Sequence, residues 1–309
     1  AWRVANEPVD LSRYGWMSLG VSLCVFALKL VAFAITGSVG LLSDALESTV
    51  NIVAAAVAVV ALRAASRPGD ASHHYGHGKA EYLSALVEGL MILVAALLII
   101  WTAVERLSNP QPLEQLGVGL LISIVASVIN GAAAFILVRA GRRNRSIVLE
   151  ADGKHLFTDV WTSAGVVLAV GLVGLTGWDA LDPLIAIAVA LNILVAGWFL
   201  IRDSTAGLMD SALPDADNEV ILSVLREHAT SEISFHAVQT RASGRQRFVS
   251  MHVLVPGDWS VQQGHDILCA LEDDLHQALD HLTVHTHLEP RDDPRSWDDV
   301  PPGGLGAQL

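Results

Sequence analysis

Apolar residues gather in six blocks along the first two thirds of the chain. The blocks cover residues 14–35, 41–63, 83–104, 116–139, 156–175 and 183–201. Each is about twenty residues long, the length that an α-helix needs to cross the hydrocarbon core of a bilayer. The pattern therefore predicts a six-helix transmembrane α bundle over residues 12–208.

The links between the predicted helices differ in charge, which predicts the orientation of the bundle. The links after helices one, three and five contain no Lys or Arg. The other links contain Arg63, Arg67, Lys79, Arg139, Arg142, Arg143 and Arg145. Basic links face the cytoplasm by the positive-inside rule, so both ends of the chain, including an N-terminal segment 1–11, are expected to be cytoplasmic.

After residue 208 the pattern changes to shorter amphipathic segments. Helical periodicity covers residues 217–229 and 260–279, whereas residues 233–242, 247–255 and 282–289 are typical of strands. The order αββαβ predicts a cytosolic α+β domain over residues 209–290. Residues 291–309 are rich in Pro, Gly and Asp and are expected to be a disordered tail.

Composition narrows the class of protein. Of 309 residues 52% are hydrophobic, and the net charge of −13 argues against a nucleic-acid partner. The two cysteines, Cys24 and Cys269, lie in different predicted domains, so no disulfide is expected. The chain has neither a GxxxxGK[ST] nor an HExxH segment, so the patterns favour neither nucleotide hydrolysis nor a zinc hydrolase. A protein that is not an enzyme is predicted.

Two of the predicted membrane helices carry the same polar pattern. In "SDALESTVN" Glu47 and Asn51 are four residues apart, and in "ADGKHLFTD" His155 and Asp159 have the same spacing. Residues four apart lie on one face of a helix, so two facing helices offer four N and O donors to one point. Such a set is typical of a site for a divalent cation.

A structural interpretation of these polar residues stays open. Polar groups near a helix end can reach the headgroups, and Asp44 and Asp152, three residues before each pair, are interpreted as helix caps. An ionisable group inside a membrane helix costs a few kcal/mol and usually faces a partner or a polar path. The repeated pair therefore favours a binding site.

Histidine and acidic residues also cluster in the link after the second helix. Asp70, His73, His74, His77 and Glu81 lie within twelve residues of "DASHHYGHGKAE". Such a cluster is typical of metal binding, and the alternative is a solvated polar loop.

A third cluster lies in the predicted cytosolic domain. His236 and His252 fall on successive strands of the hairpin, and His285, His287 and Glu289 alternate along the last strand, which places them on one face. Three further histidines show no such pattern and are interpreted as surface residues: His228, His276 and His281.

The sequence resembles the cation diffusion facilitator family over residues 12–290. The most specific segments are "LLSDALESTVN", "HHYGHGKAEYLSAL", "ADGKHLFTDVWTS", "LMDSALP" and "HLEP". The family consists of six-helix metal–proton antiporters with a metallochaperone-like cytosolic domain, best known as zinc exporters. The resemblance implies a homodimer in a bilayer, expected to be a bacterial inner membrane, with divalent metal ions and protons as substrates.

The resemblance also implies three metal sites and one charge pair. The transport site falls on Glu47, Asn51, His155 and Asp159. The loop site falls on Asp70, His73 and His77. The cytosolic site, which bridges two subunits in relatives, falls on His236, His252, His265, His287 and Glu289. The pair Lys79 and Asp210 would link the membrane half to the cytosolic half.

The second helix departs from the family pattern. Relatives that carry zinc usually present His or Asp and then Asp, whereas this chain presents Glu47 and Asn51. Three oxygen donors favour Mn²⁺, Fe²⁺ or Co²⁺, whereas His155 favours zinc, because relatives that move manganese tend to have Asp there. Exchange of Zn²⁺ for protons is predicted, with Cd²⁺ as a further substrate. The alternatives are an antiporter for Mn²⁺, Fe²⁺ or Co²⁺ and a metal sensor or scaffold whose transport site Asn51 disables.

Overall fold

A computed structural model describes residues 10–36, 39–108, 118–178, 180–298 and 305. The chain divides into two compact units. One covers residues 8–205 and contains the apolar helices, and the other begins at residue 206 and contains the sheet.

The first unit is built from long helices. They are α1 (Ser12–Thr36), α2 (Val39–Ala65), α3 (Ala80–Ser108), α4 (Val118–Asn144), α5 (Ile147–Thr176) and α6 (Leu181–Leu208). Among the described residues, all but α5 are long and apolar enough to cross a membrane. The first half of α5 carries Glu150, Asp152, Lys154 and Asp159, so its role as a sixth span stays a prediction.

Small residues bring α4 and α5 close together. A Cβ atom added at Gly153 on α5 would lie 2.6 Å from Cγ2 of Val138 on α4. Leu62 on α2, Leu137 on α4 and Leu156 on α5 belong to one buried cluster at this contact. Elsewhere α4 and α5 expose large apolar side chains such as Phe135 and Trp161, as expected for a surface in contact with lipid.

The second unit has the predicted αββαβ order. Its elements are α7 (Asp215–His228), β1 (Ser234–Ser243), β2 (Gln246–Val255), α8 (Val261–Ala278) and β3 (Leu282–Pro290). β1 pairs antiparallel with β2, and β2 pairs parallel with β3. Both helices pack on the sheet, where Leu225 of α7 and Leu275 of α8 share a core with Phe235 and Val253. The α+β prediction is confirmed.

The start of the expected tail is ordered. Residues Pro294–Trp297 form a 3₁₀ helix, and the indole N–H of Trp297 donates to the carbonyl of Arg291 at 3.2 Å. The backbone N–H of Leu305 donates to the carbonyl of Val238 at 2.7 Å. Residues 291–298 are therefore ordered, because the indole of Trp297 packs against the ring of His236 in the folded unit. Apart from Leu305, the rest of the predicted tail lies outside the described residues.

Candidate metal sites

Three of the four predicted transport-site residues meet between α2 and α5. The side-chain N–H of Asn51 on α2 donates to Oδ2 of Asp159 on α5 at 2.5 Å, and Oδ1 of Asn51 lies 2.8 Å from Nε2 of His155. Asn51 and His155 are buried and Asp159 is half-buried. The repeated spacing therefore places these side chains at one point inside the membrane unit.

The orientation of the Asn51 amide determines which ring nitrogen of His155 carries the proton. Since Nδ2 of Asn51 donates to Asp159, Oδ1 is the atom that accepts from His155, so Nε2 carries the proton. Nδ1 of His155 is buried with no hydrogen-bond partner. Asn51 thus connects an imidazole to a carboxylate.

The fourth predicted ligand, Glu47, lies in α2 one turn before Asn51. Its side chain lies outside the described residues, so its place as a ligand stays a prediction.

The interpretation of Asp44 and Asp152 as helix caps is wrong. α2 begins at Val39 and α5 at Ile147, so both residues lie inside their helices. Asp152 is 1% exposed. Both helices begin before their apolar blocks do, and at α5 the bundle itself covers Asp152 in the first turns of the helix.

Asn130, which the sequence analysis did not select, also reaches the transport site. The side-chain N–H of Asn130 on α4 donates to Oδ2 of Asp159 at 3.3 Å, and Asn130 is buried. In the sequence, Asn130 differs from its neighbours only as a single amide side chain within an apolar stretch. Asn192 shows the same signal on α6 and is exposed, so the signal alone does not identify a site residue.

A second unselected residue is Lys29 on α1. Its ammonium group is buried and donates to Oγ of Ser48 on α2 at 2.8 Å. Ser48 follows Glu47 directly, so a positive charge lies beside the helix that carries half of the transport site.

The loop residues also come together. Nε2 of His77 lies 3.4 Å from Oδ2 of Asp70, Nδ1 of His73 lies 3.6 Å from Oδ1, and the two imidazole rings are 4.4 Å apart. The three ligand atoms form a group compact enough for one metal ion. Asp70 and His73 are exposed, so this group is accessible to solvent.

Local hydrogen bonds keep Asp70 ionised. Its Oδ1 accepts from the hydroxyl and the backbone N–H of Ser72 and from the backbone N–H of His73, each at 2.8 Å. These bonds, with that of the Ser72 hydroxyl the strongest, hold the pKa of Asp70 well below its usual range. Asp70 is therefore a carboxylate that can bind a metal ion without first losing a proton.

The third group lies on the sheet of the cytosolic unit. Nε2 of His236 lies 3.1 Å from Oε2 of Glu289, and Nδ1 of His252 lies 3.2 Å from the same oxygen. Nδ1 of His287 lies 3.4 Å from Oε1. Zinc–nitrogen bonds of 2.0–2.1 Å in a tetrahedron imply ligand separations of roughly 3.3 Å, so these donors have a spacing that suits zinc.

Strand register explains this grouping. His252 on β2 pairs directly with His236 on β1 and with His287 on β3. The pairing of β1 shifts just after His236, where Ala237 has a φ of 52°. Such a bulge redirects the side chains beside it.

Two further histidines, one on α8 and one on β3, lie outside this group in the part of the chain that the structure describes. The ring of His265 lies beside Sγ of Cys269 on α8, at 3.6 Å. His285 is exposed and pairs with Ser250 in the sheet. The assignment of His265 to the cytosolic site therefore stays a prediction.

The predicted pair of Lys79 and Asp210 joins residues of different units and stays a prediction. Within its own unit, Asp210 accepts a hydrogen bond of 3.0 Å from the guanidinium of Arg241.

Apolar helices with buried polar side chains, followed by an αββαβ unit with a histidine cluster, are the arrangement expected of a membrane transporter for cations. The chain matches the cation efflux transmembrane domain over residues 15–209 and the cytoplasmic domain of cation efflux proteins over residues 213–291. It belongs to the cation diffusion facilitator family.

Relatives match along almost the whole chain. An uncharacterised transporter of Synechocystis, sll1263, is 51% identical, and the match covers 94% of each chain. The cation-efflux pump FieF of Shewanella oneidensis is 31% identical, with 88% of this chain and 92% of the relative covered. The solved structure of CzrB in its Zn form is 32% identical and covers 27% of this chain and 96% of its own, with a TM-score of 0.26.

Proposed function

We propose that this protein exports divalent metal ions, with zinc as the first expected substrate, in exchange for protons. The transport site is Glu47, Asn51, His155 and Asp159, and the proposal includes α5 as a sixth membrane span. The observation that carries it is the convergence of Asn51, His155 and Asp159 from two helices inside the membrane unit.

The ligand chemistry links metal to protons. A metal ion at Nε2 of His155 requires that this nitrogen lose the proton it shares with Asn51. That proton moves to Nδ1, which keeps the imidazole neutral, so the protons that are released come from a doubly protonated His155 or from protonated Glu47 and Asp159. Metal and protons therefore compete for one set of atoms, so a proton gradient can drive metal across the membrane when the site opens to each side in turn.

Charge balance suits a divalent ion. Glu47 and Asp159 supply two negative charges as carboxylates, whereas Asn51 and His155 are neutral when they bind metal. The charge of a bound M²⁺ ion is then balanced by its own ligands, which matters inside the apolar bundle, where net charge is costly. Three oxygen donors keep Mn²⁺, Fe²⁺ and Co²⁺ as alternative substrates, with Cd²⁺ a further one.

The other two groups have supporting functions in this proposal. The exposed loop group, Asp70, His73 and His77, captures metal from solvent. The cytosolic group, with His236, His252 and Glu289 at its centre, binds metal in a homodimer and favours the transporting state when cytosolic metal is high.

One observation favours a second candidate function. The hydrogen bond from Asn51 to Asp159 occupies Oδ2, one of the two oxygens of the carboxylate that would bind the substrate. If this bond is never replaced by metal, the protein is a metal sensor that does not transport.

Uptake into proteoliposomes under an imposed pH gradient tests these functions. We expect gradient-driven uptake of Zn²⁺ by the parent and its loss in Asp159→Ala. A parent without flux for Zn²⁺, Mn²⁺, Fe²⁺, Co²⁺ or Cd²⁺, combined with flux in Asn51→Asp, would support the sensor instead.

A further inference from the structure

Two carboxyl groups inside the membrane unit lie outside the transport site. Glu88 is on α3 and Asp152 is on α5, and their charges interact. Glu88 is fully buried and Asp152 nearly so. Ala85 and Ala151, which precede them on the two helices, belong to one buried cluster, so α3 and α5 pack closely at this level.

Protein groups satisfy these carboxyls poorly. Both oxygens of Glu88 and Oδ2 of Asp152 are buried without a well-formed hydrogen bond, although the hydroxyl of Ser84 interacts with Glu88 and that of Ser18 with Asp152. In the part of the chain that the structure describes, no Lys or Arg forms an ion pair with Glu88 or Asp152. Buried carboxylates without a partner are strongly unfavourable, so each group is either protonated or balanced by a positively charged ligand.

The location relates this pair to the transport site. Asp152 precedes His155 by three positions on α5, which is about 4.5 Å along the helix axis. The charges of the two side chains interact, and Nδ1 of His155 is buried without a partner. α5 begins at Ile147, after the basic link that is expected to face the cytoplasm, so Asp152 lies between that end and His155.

We propose that Glu88 and Asp152 form a second cation site, which holds a divalent metal ion one helical turn to the cytoplasmic side of the transport site. The inference rests on the proposed export function and adds an entry position to it. Two carboxylates with the hydroxyls of Ser18 and Ser84 provide hard oxygen donors, a set that suits Mn²⁺ and Co²⁺ and accepts Zn²⁺. A metal ion there neutralises the pair and needs only a short step to reach His155.

The test counts metal ions on the full-length protein in lipid nanodiscs. All variants are made in a protein that also carries His77→Ala and His252→Ala. These two substitutions remove one ligand from the loop group and one from the cytosolic group. Co²⁺ bound at saturation is measured by equilibrium dialysis and elemental analysis, and its visible spectrum reports the donors. We expect Glu88→Gln and Asp152→Asn each to lower the count by one ion per chain, Asp159→Asn to lower it by another, and Glu88→Gln with Asp159→Asn to lower it by both.

Glu150→Gln is the matched control. Glu150 is an acidic residue of the same helix that is more exposed and lies 3.9 Å from Lys154, so its neutralisation should leave the count unchanged. Size-exclusion profiles and melting temperatures show whether each variant is folded, and Glu88→Gln keeps the shape of the side chain.

The outcomes separate this inference from the export function. If Glu88→Gln and Asp152→Asn leave the Co²⁺ count unchanged while Asp159→Asn lowers it, the second site is overturned and the transport site stands. If Asp159→Asn changes neither the Co²⁺ count nor uptake into proteoliposomes, the transport site itself is wrong, and the entry position falls with it.

Discussion

The side-chain amide of Asn51 on α2 donates a hydrogen bond of 2.5 Å to the carboxylate of Asp159 on α5. With Asp at position 51, two carboxylate oxygens would meet at this distance and would need a proton or a metal ion between them. The neutral amide removes that need, so the helices can stay together without substrate.

Removal of Asp159 tests the centre of the site. We expect Asp159→Ala to lower metal uptake by more than about tenfold. Loss of a residue that only orients a metal ligand costs at least about tenfold, and loss of a ligand itself should cost more. Gradient-driven uptake into proteoliposomes measures this. Glu150→Gln should keep the parental rate, and equal rates in Asp159→Ala and the parent would contradict the assignment.

Asn51→Asp should strengthen metal binding and change selectivity. The substitution adds a negative charge to the site and places two carboxylates in contact, so metal or a proton must occupy it. We expect tighter Zn²⁺ binding at neutral pH and a steeper loss of binding as the pH falls. Competition between Zn²⁺ and Mn²⁺ in uptake checks this, and an unchanged ratio would mean that position 51 does not set selectivity.

Asn130→Leu should weaken transport without abolishing it. Asn130 holds Asp159 by a hydrogen bond of 3.3 Å, and loss of an outer partner of a metal ligand costs about 10- to 100-fold in affinity or activity. The metal concentration for half-maximal uptake measures the effect. Asn192→Leu is the control, because Asn192 is an exposed amide of α6; a similar effect there would indicate a general change in the bundle.

Glu289→Gln should weaken zinc binding to the cytosolic group. Glu289 lies within 3.4 Å of His236, His252 and His287, so its carboxylate is the common neighbour of the three imidazoles. We expect at least about tenfold weaker binding, measured by titration with a competing chelator. His285→Ala, an exposed histidine of the same strand, should bind like the parent.

The 3₁₀ helix near the C-terminus should resist acid. A hydrogen bond from the guanidinium of Arg295 lowers the pKa of Asp293 to about 2. Because this pKa is depressed, the stabilisation is complete above the ordinary carboxyl value of about 4, declines as the pH falls from about 4 to about 2, and is absent below that. The NMR signal of the Trp297 indole N–H should stay constant from pH 7 to pH 4. Asp293→Asn should shift this signal at pH 7, whereas Asp292→Asn should not.

Periodicity predicted the elements well because each depends on local sequence. The apolar blocks placed the membrane helices, and alternation with short turns predicted αββαβ, since a helix or strand must present one apolar face along its own length. The predicted helix starts were less accurate at α5, because burial by neighbouring helices allows polar residues such as Asp152 to continue the helix.

The sequence by itself determined which helices carry paired polar residues, because spacing of four residues is a local property that places Asn51 and Glu47, or His155 and Asp159, on one face. Only the tertiary structure decided which groups meet across helices. Asn130 reaches Asp159 through the close packing of α4 on α5, and Glu88 and Asp152 share a buried location through the contact of α3 with α5. Such contacts join residues far apart in the chain, so helix packing, rather than any local pattern, brings them together.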